Sequence, residues 1–325
     1  MKKQLILSLT FAALAAPAMA CGYDFFRIHD LDFLDDSHGF RITNDGLQQS
    51  VDGGRKWKDL RVDGEPKDKA FNYRTYTELD IAEGTLFLLS PPSHLGVAKL
   101  HISDDLGRDW ETIELAKGMS PVHIDFVNSK HGFVQLSDNR LLVTDDGAQT
   151  WMEVAQAPKE MEVTQLTMAD EKRGFALALL PRDSKYINLL LTTENGGRNW
   201  TVKELGSTDD GYYQLQGLAD GNALLQNGRQ VLLAMPGQEE LKQMMPTTEG
   251  KTVSQALFRD AMTGVVSRYD NASGESEVLF THDGGATFSL VPDFLMEYEF
   301  AWAFAPNSLK VISLQDFFLE VPATH

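Results

Sequence analysis

An all-β chain folded as a seven-bladed β-propeller is what this sequence predicts, on three observations. First, an eight-residue box recurs as Ser50–Trp57, Ser103–Trp110, Thr144–Trp151, Thr193–Trp200 and Thr281–Phe288. Each copy has a hydroxyl residue in the first slot, Asp or Asn in the third, Gly in the fourth or fifth and an aromatic residue in the eighth. Four of the five tryptophans fill that eighth slot. Second, the copies recur at roughly 40–50 residues, the period of a propeller blade, and about two periods separate the last two. Third, the residues between boxes alternate short apolar segments with turn residues, four segments to a period, which is the pattern of antiparallel sheet.

The elements follow in order. First strands are expected around Leu31, Leu79, Ile124, Leu166, Leu215, Leu257 and Trp302. Second strands open with glycine in Gly39-Phe40, Gly132-Phe133, Gly174-Phe175 and Gly264-Val265. Third strands run into the box, as in Leu141–Val143, Ile187–Leu191 and Val278–Phe280. Fourth strands begin at its aromatic residue, as at Trp57, Trp151 and Trp200. The long last gap implies a degenerate box near Met235–Glu239. The final period has three candidate strands, and Tyr23–Ile28 is expected to supply the fourth and close the ring. A six-bladed ring is the alternative, if the weak period at Leu79 or Leu215 is an insertion. No linker interrupts the pattern, so residues 21–325 read as one domain.

Residues 1–20 read as a signal peptide: Lys2 and Lys3, an apolar run from Leu5 to Ala16, then Ala18-Met19-Ala20 as a small-x-small cleavage site. The chain is therefore expected to be exported, periplasmic or secreted. Its formal charge of −18 becomes more negative once the two signal lysines are removed. Such a surface repels nucleic acid and anionic headgroups, so neither is an expected partner. The one cysteine, Cys21, allows no internal disulfide. It directly follows the expected cut, which leaves two readings open: a free N-terminal thiol, or a lipidated residue that anchors the protein to the outer membrane.

The box needs its residue types for turn chemistry. An Asp or Asn side chain accepts backbone N–H groups of the following turn, and glycine supplies positive φ. The slots that matter are Asp52, Gly54 and Trp57; Asp105, Gly107 and Trp110; Asp146 and Trp151; Asn195, Gly197 and Trp200; and Asp283, Gly285 and Phe288. The third copy carries Gly147 one place early and Ala148 in the usual glycine slot. This pattern resembles the Asp-box, or BNR repeat, of photosystem II assembly-factor-like proteins, sortilin-type receptors and, more distantly, sialidases. The resemblance implies that the boxes are structural and lie away from the ligand face.

It also raises a catalytic alternative. In sialidases an arginine of the substrate-binding triad lies in a Phe/Tyr-Arg-Ile-Pro stretch before the first blade. Phe26-Arg27-Ile28-His29 resembles it, with His29 in place of proline, which makes Arg27 a candidate. Phe40-Arg41-Ile42-Thr43 matches as well, and Glu297-Tyr298-Glu299 puts a tyrosine beside glutamates. The eight histidines show no metal spacing, and there is no nucleophile elbow or P-loop. No metal or cofactor is expected. The acidic run Asp30, Asp32, Asp35 and Asp36 lacks the order of a calcium loop and reads as a solvated turn. The reading that follows is an exported, non-enzymatic scaffold that engages a protein partner of the cell envelope. The alternatives are a sialidase-type hydrolase or glycan-binding propeller, and an inhibitor or immunity-type lipoprotein.

Overall fold

The computed structural model describes residues 28–62, 76–92, 96–156, 160–245, 247–291, 300–313 and 318–322. Among them the chain is strand and turn throughout, with a single three-residue 3-10 turn at Thr208–Asp210. The first sheet contains β1 (Ile28–Phe33), β2 (Gly39–Thr43), β3 (Gly46–Ser50) and β4 (Lys58–Asp59). The second contains β5 (Glu78–Ala82), β6 (Thr85–Ser90), β7 (Lys99–Ser103) and β8 (Glu111–Glu114). The third contains β9 (Pro121–Phe126), β10 (Gly132–Leu136), β11 (Arg140–Thr144) and β12 (Met152–Gln156). The fourth contains β13 (Glu162–Met168), β14 (Gly174–Arg182), β15 (Lys185–Thr193) and β16 (Thr201–Ser207). The fifth contains β17 (Gln214–Gly217), β18 (Ala223–Gln226), β19 (Val231–Ala234) and β20 (Lys242–Met245). The sixth contains β21 (Lys251–Phe258), β22 (Gly264–Asp270), β23 (Ser276–Thr281) and β24 (Ser289–Leu290). The seventh contains β25 (Phe300–Ala305), β26 (Ser308–Ser313) and β27 (Phe318–Pro322).

Each sheet is an antiparallel meander in sequence order. Six of them carry four strands, which matches the six-bladed alternative; a seventh four-stranded blade is not found among the described residues. The weak periods at Leu79 and Leu215 are not insertions, since both form complete sheets. Among the described residues the last period has three strands, and the segment expected to close the ring falls mostly beyond them. Tyr23–Arg27 lie outside the described residues, and Ile28 opens β1, opposite Thr43 of β2.

Local chemistry explains the register. Where glycine opens a second strand, it pairs with the last residue of the first: Phe33 opposite Gly39, Phe126 opposite Gly132, Met168 opposite Gly174 and Phe258 opposite Gly264. The larger side chain lies over its glycine. A Cβ on Gly132 would stand 2.3 Å from the Phe126 ring, and one on Gly39 would stand 2.5 Å from Phe33. Ring-over-glycine pairing pins a sheet's register. The box tryptophan then meets the same phenylalanine edge to face, with centroids 6.3 Å apart for both Phe33–Trp57 and Phe126–Trp151. Second strands such as β2 and β10 are buried along their whole length, whereas β4 and most of β16 are exposed.

The strands group into two compact units. One, Ser120–Glu297, holds the third to sixth sheets; the other, Ser8–Met119 with Tyr298–His325, holds the first, second and seventh. Within each unit, neighbouring sheets are latched in one direction. A side chain from the inner part of one sheet accepts a backbone N–H from the first strand of the next. Asp30 takes the Leu79 N–H at 2.8 Å, Asp125 that of Met168 at 2.8 Å, Gln165 that of Leu215 at 2.7 Å and Gln216 that of Phe258 at 3.1 Å. The tie between the seventh and first sheets is an exception to that direction: Asp36 accepts the N–H of Asn307, in the β25–β26 turn, at 3.1 Å.

Candidate functional site

Every intact box has the same internal geometry. The first-slot hydroxyl donates to the third-slot oxygen over 2.8–3.1 Å. That hydroxyl accepts the fifth-slot N–H at 2.8–3.0 Å. The third-slot oxygen accepts the seventh-slot N–H at 2.8–3.0 Å. These bonds hold the carboxylates charged. The Asp109 N–H keeps Asp105 below the usual range, the Thr150 hydroxyl does so for Asp146, and the Thr287 hydroxyl leads in drawing Asp283 down to about 2. Fourth-slot residues all adopt positive φ: Gly53, Leu106, Gly147, Gly196 and Gly284. The fifth-slot Ala148 of the third copy does so too, at φ 71° and fully buried. The Trp57 and Trp110 indole N–H groups donate to the fifth-slot carbonyls of Gly54 and Gly107, but the Trp151 Nε1 is buried without a partner.

The box also docks outward. Its fifth-slot glycine lies against the preceding sheet, so an added Cβ on Gly107 would stand 2.5 Å from Leu60, and one on Gly197 2.5 Å from Leu141. On Gly285 it would stand 1.8 Å from the Met244 carbonyl oxygen. The fifth sheet departs from this arrangement. Its equivalent turn, Ala234–Leu241, keeps the eight-residue length and Gly237 at φ 70°. However, Ala234 replaces the hydroxyl, Pro236 the Asp, Gln238 the glycine and Leu241 the aromatic ring.

A cleft of about 630 Å³ opens where that turn borders the fourth sheet. Phe175 and Leu190, both buried, form its floor. The fourth box forms one wall with Glu194, Asn195, Asn199 and Trp200, and β16 adds Thr201, Val202 and Lys203. The opposite wall is Ala234, Pro236–Glu239 and Leu241. The Lys203 ammonium donates to the Glu239 carbonyl at 2.5 Å. The expected degenerate box thus forms one wall of this cleft, which no feature of the repeat pattern announces.

Sequence-based candidates for chemistry fall elsewhere. Arg27, Cys21 and Glu297-Tyr298-Glu299 lie outside the described residues. Arg41 is buried, donates to Gln48 at 2.8 Å and stacks its guanidinium 4.4 Å from the Trp57 ring centre, which occupies it structurally. The acidic run is not one solvated turn. Asp35 and Asp36 are in the turn, but Asp30 and Asp32 are buried in β1. Burial pushes both carboxyls well above the usual range; backbone bonds oppose this for Asp30, while the charges of Asp30 and Asp80 add to it for Asp32. No grouping of His, Cys, Asp and Glu among the described residues is suited to hold a metal ion. Ser90 and His101 approach within 2.9 Å, an arrangement that resembles a nucleophile–base pair. His101 is fully buried and its other nitrogen meets Thr112 at 2.8 Å, so the three form a cross-strand polar ladder with no access for substrate.

Comparison with known proteins agrees with this architecture. Residues 102–208 match the family described as photosynthesis system II assembly factor YCF48. The photosystem II assembly lipoprotein Ycf48 of Prochlorococcus marinus is 46% identical over 44 residues, and the match spans 14% of this chain and 13% of that protein. YCF48 from Cyanidioschyzon merolae superposes with a TM-score of 0.62 at 16% identity, over 86% of this chain and 91% of that one. A YCF48 bound to a D1 peptide gives 0.61 at 17% identity, over 94% and 97%. A GH74 xyloglucanase from Xanthomonas campestris gives 0.59 at 13%, over 86% of this chain and 50% of the enzyme. At these identities the structural likeness concerns the fold, which propellers share across unrelated activities. The recurrent boxes, the four-stranded meanders and these likenesses together make the chain a BNR-type, Asp-box β-propeller similar to the photosystem II assembly-factor group.

Proposed function

We propose that this protein is an exported, non-enzymatic binding scaffold, one domain over residues 21–325, that engages a protein partner in the cell envelope. The observation that carries the reading is the likeness to the YCF48 group, one member of which was solved with a peptide bound. The boxes support it, because their polar groups are consumed by their own turns and are left with little to offer a substrate. Rigid sheets carrying exposed turns suit recognition. The Prochlorococcus relative is named a lipoprotein, which favours lipid on Cys21 over a free thiol. A diacylglycerol mass on the mature N-terminus is the expected result for that residue.

The reading is tested by immobilising the mature chain and washing detergent-solubilised envelope over it. Retention of one specific membrane or envelope protein, unaffected by free sugars, is expected. Turnover of a fluorogenic sialoside, lost on Arg27→Ala, would overturn it in favour of the hydrolase alternative.

A further inference from the structure

The cleft between the fourth and fifth sheets marks a place where the repeat has been altered in one direction. At the second, fourth and sixth sheets a box turn seats its fifth-slot glycine on the preceding sheet. At the fifth sheet the turn has the same length but has lost the first-slot hydroxyl, the fifth-slot glycine and the ring. Positive φ persists at Gly237 in the fourth slot, yet Gln238 in the fifth no longer adopts it. The turn therefore cannot close down as the others do, and the floor of Phe175 and Leu190 is left with an opening above it.

What would fill this opening is set by what fills the equivalent place elsewhere in the molecule: a polypeptide turn and an aromatic ring. Its rim adds charge. Glu194 and Glu239 are carboxylates on facing walls; Lys203, the one cation of the lining, is tied to the Glu239 carbonyl and keeps its charge, so the rim is negative by one. The whole chain carries −18. An apolar floor under an acidic rim suits a large apolar side chain next to a basic one. We propose that this cleft docks a peptide segment of a partner protein, inserting an aromatic side chain where the box ring is missing and presenting a lysine or arginine to Glu194 and Glu239. This deepens the protein-binding reading above and rests on it.

The test uses the full mature chain and short fluorescein-labelled peptides with a central phenylalanine, flanked either by lysines or by glutamates. Fluorescence anisotropy should show binding of the lysine-flanked peptide and none of the glutamate-flanked one. Leu241→Trp, which restores the missing ring, should weaken binding by about tenfold or more while leaving the melting temperature unchanged or higher. Should that variant fold poorly, the double charge reversal E194K with E239K lies on the rim and should abolish binding of the lysine-flanked peptide. Equal binding of both peptides, undiminished binding by the charge-reversed protein, or no peptide binding at all would overturn the proposal. So would competition by an oligosaccharide. An envelope protein retained equally by wild type and Leu241→Trp would overturn the cleft as the docking site and leave the scaffold reading intact. Retention by neither would remove both.

Discussion

Asp32 places a carboxyl where water does not reach, and one of its oxygens, Oδ2, has no hydrogen-bond partner among the described residues. Burial is the main cause of its raised pKa, and the nearby charges of Asp30 and Asp80 add to it. A carboxyl whose folded pKa is raised binds its proton more tightly in the folded state. Its contribution to stability is fully present below the ordinary value of 3.8 and is lost as pH rises through the folded value. Asp32→Asn removes the charge and keeps an oxygen for the Phe33 N–H, which Asp32 now accepts at 2.7 Å. The variant should therefore melt at about the wild-type temperature near pH 4 and progressively above it towards pH 8. A constant difference across that range would show that folding does not raise the Asp32 pKa. Sequence alone placed this residue in a solvated turn, because alternating Asp and apolar residues in Asp30-Leu31-Asp32-Phe33 look the same whether the polar face meets water or another strand.

At the scale of the strand and sheet, the directed latches are the feature that local sequence does not reveal. Gln216 accepts the Phe258 N–H and donates to its carbonyl at 2.5 Å, so one side chain satisfies both backbone groups of a neighbouring strand. Truncating it leaves two part-buried groups without those partners, at a cost of about 1–3 kcal/mol each before water compensates. Gln216→Ala should thus lower stability by roughly 2 kcal/mol in urea unfolding, whereas the same change at the exposed box position Gln149 should fall within about 0.5 kcal/mol. Equal effects at the two sites would remove the latch as a source of stability. The turns, by contrast, were legible. Each box carries its own hydrogen bonds within eight residues.

For the whole molecule, charge is the dominant sequence-level quantity. The excess of 47 acidic over 29 basic residues must be tolerated by the folded state, which concentrates it. Many of the visible ion pairs, such as Arg182–Glu204 and Arg173–Asp170, are exposed and offset little of this repulsion. Raising the salt concentration from about 20 mM to about 500 mM should therefore raise the melting temperature by a few degrees through screening. A fall would mean that attractive pairs outweigh the net repulsion. The same salt should weaken capture of a basic partner, since rim charges act mainly on encounter.

The sequence alone carries the repeated four-stranded meander and the position of the first strand in each of the seven sheets. Those features are carried by contacts between residues a few positions apart: hydroxyl to Asp within a box, ring over glycine across a tight turn. It also located the degenerate fifth box. Only the tertiary structure decided that Asp30 and Asp32 are buried, and that the altered turn borders a cleft rather than collapsing. Each of these depends on what a neighbouring sheet presents, and neighbouring sheets meet through residues a full repeat apart, such as Gln216 and Phe258.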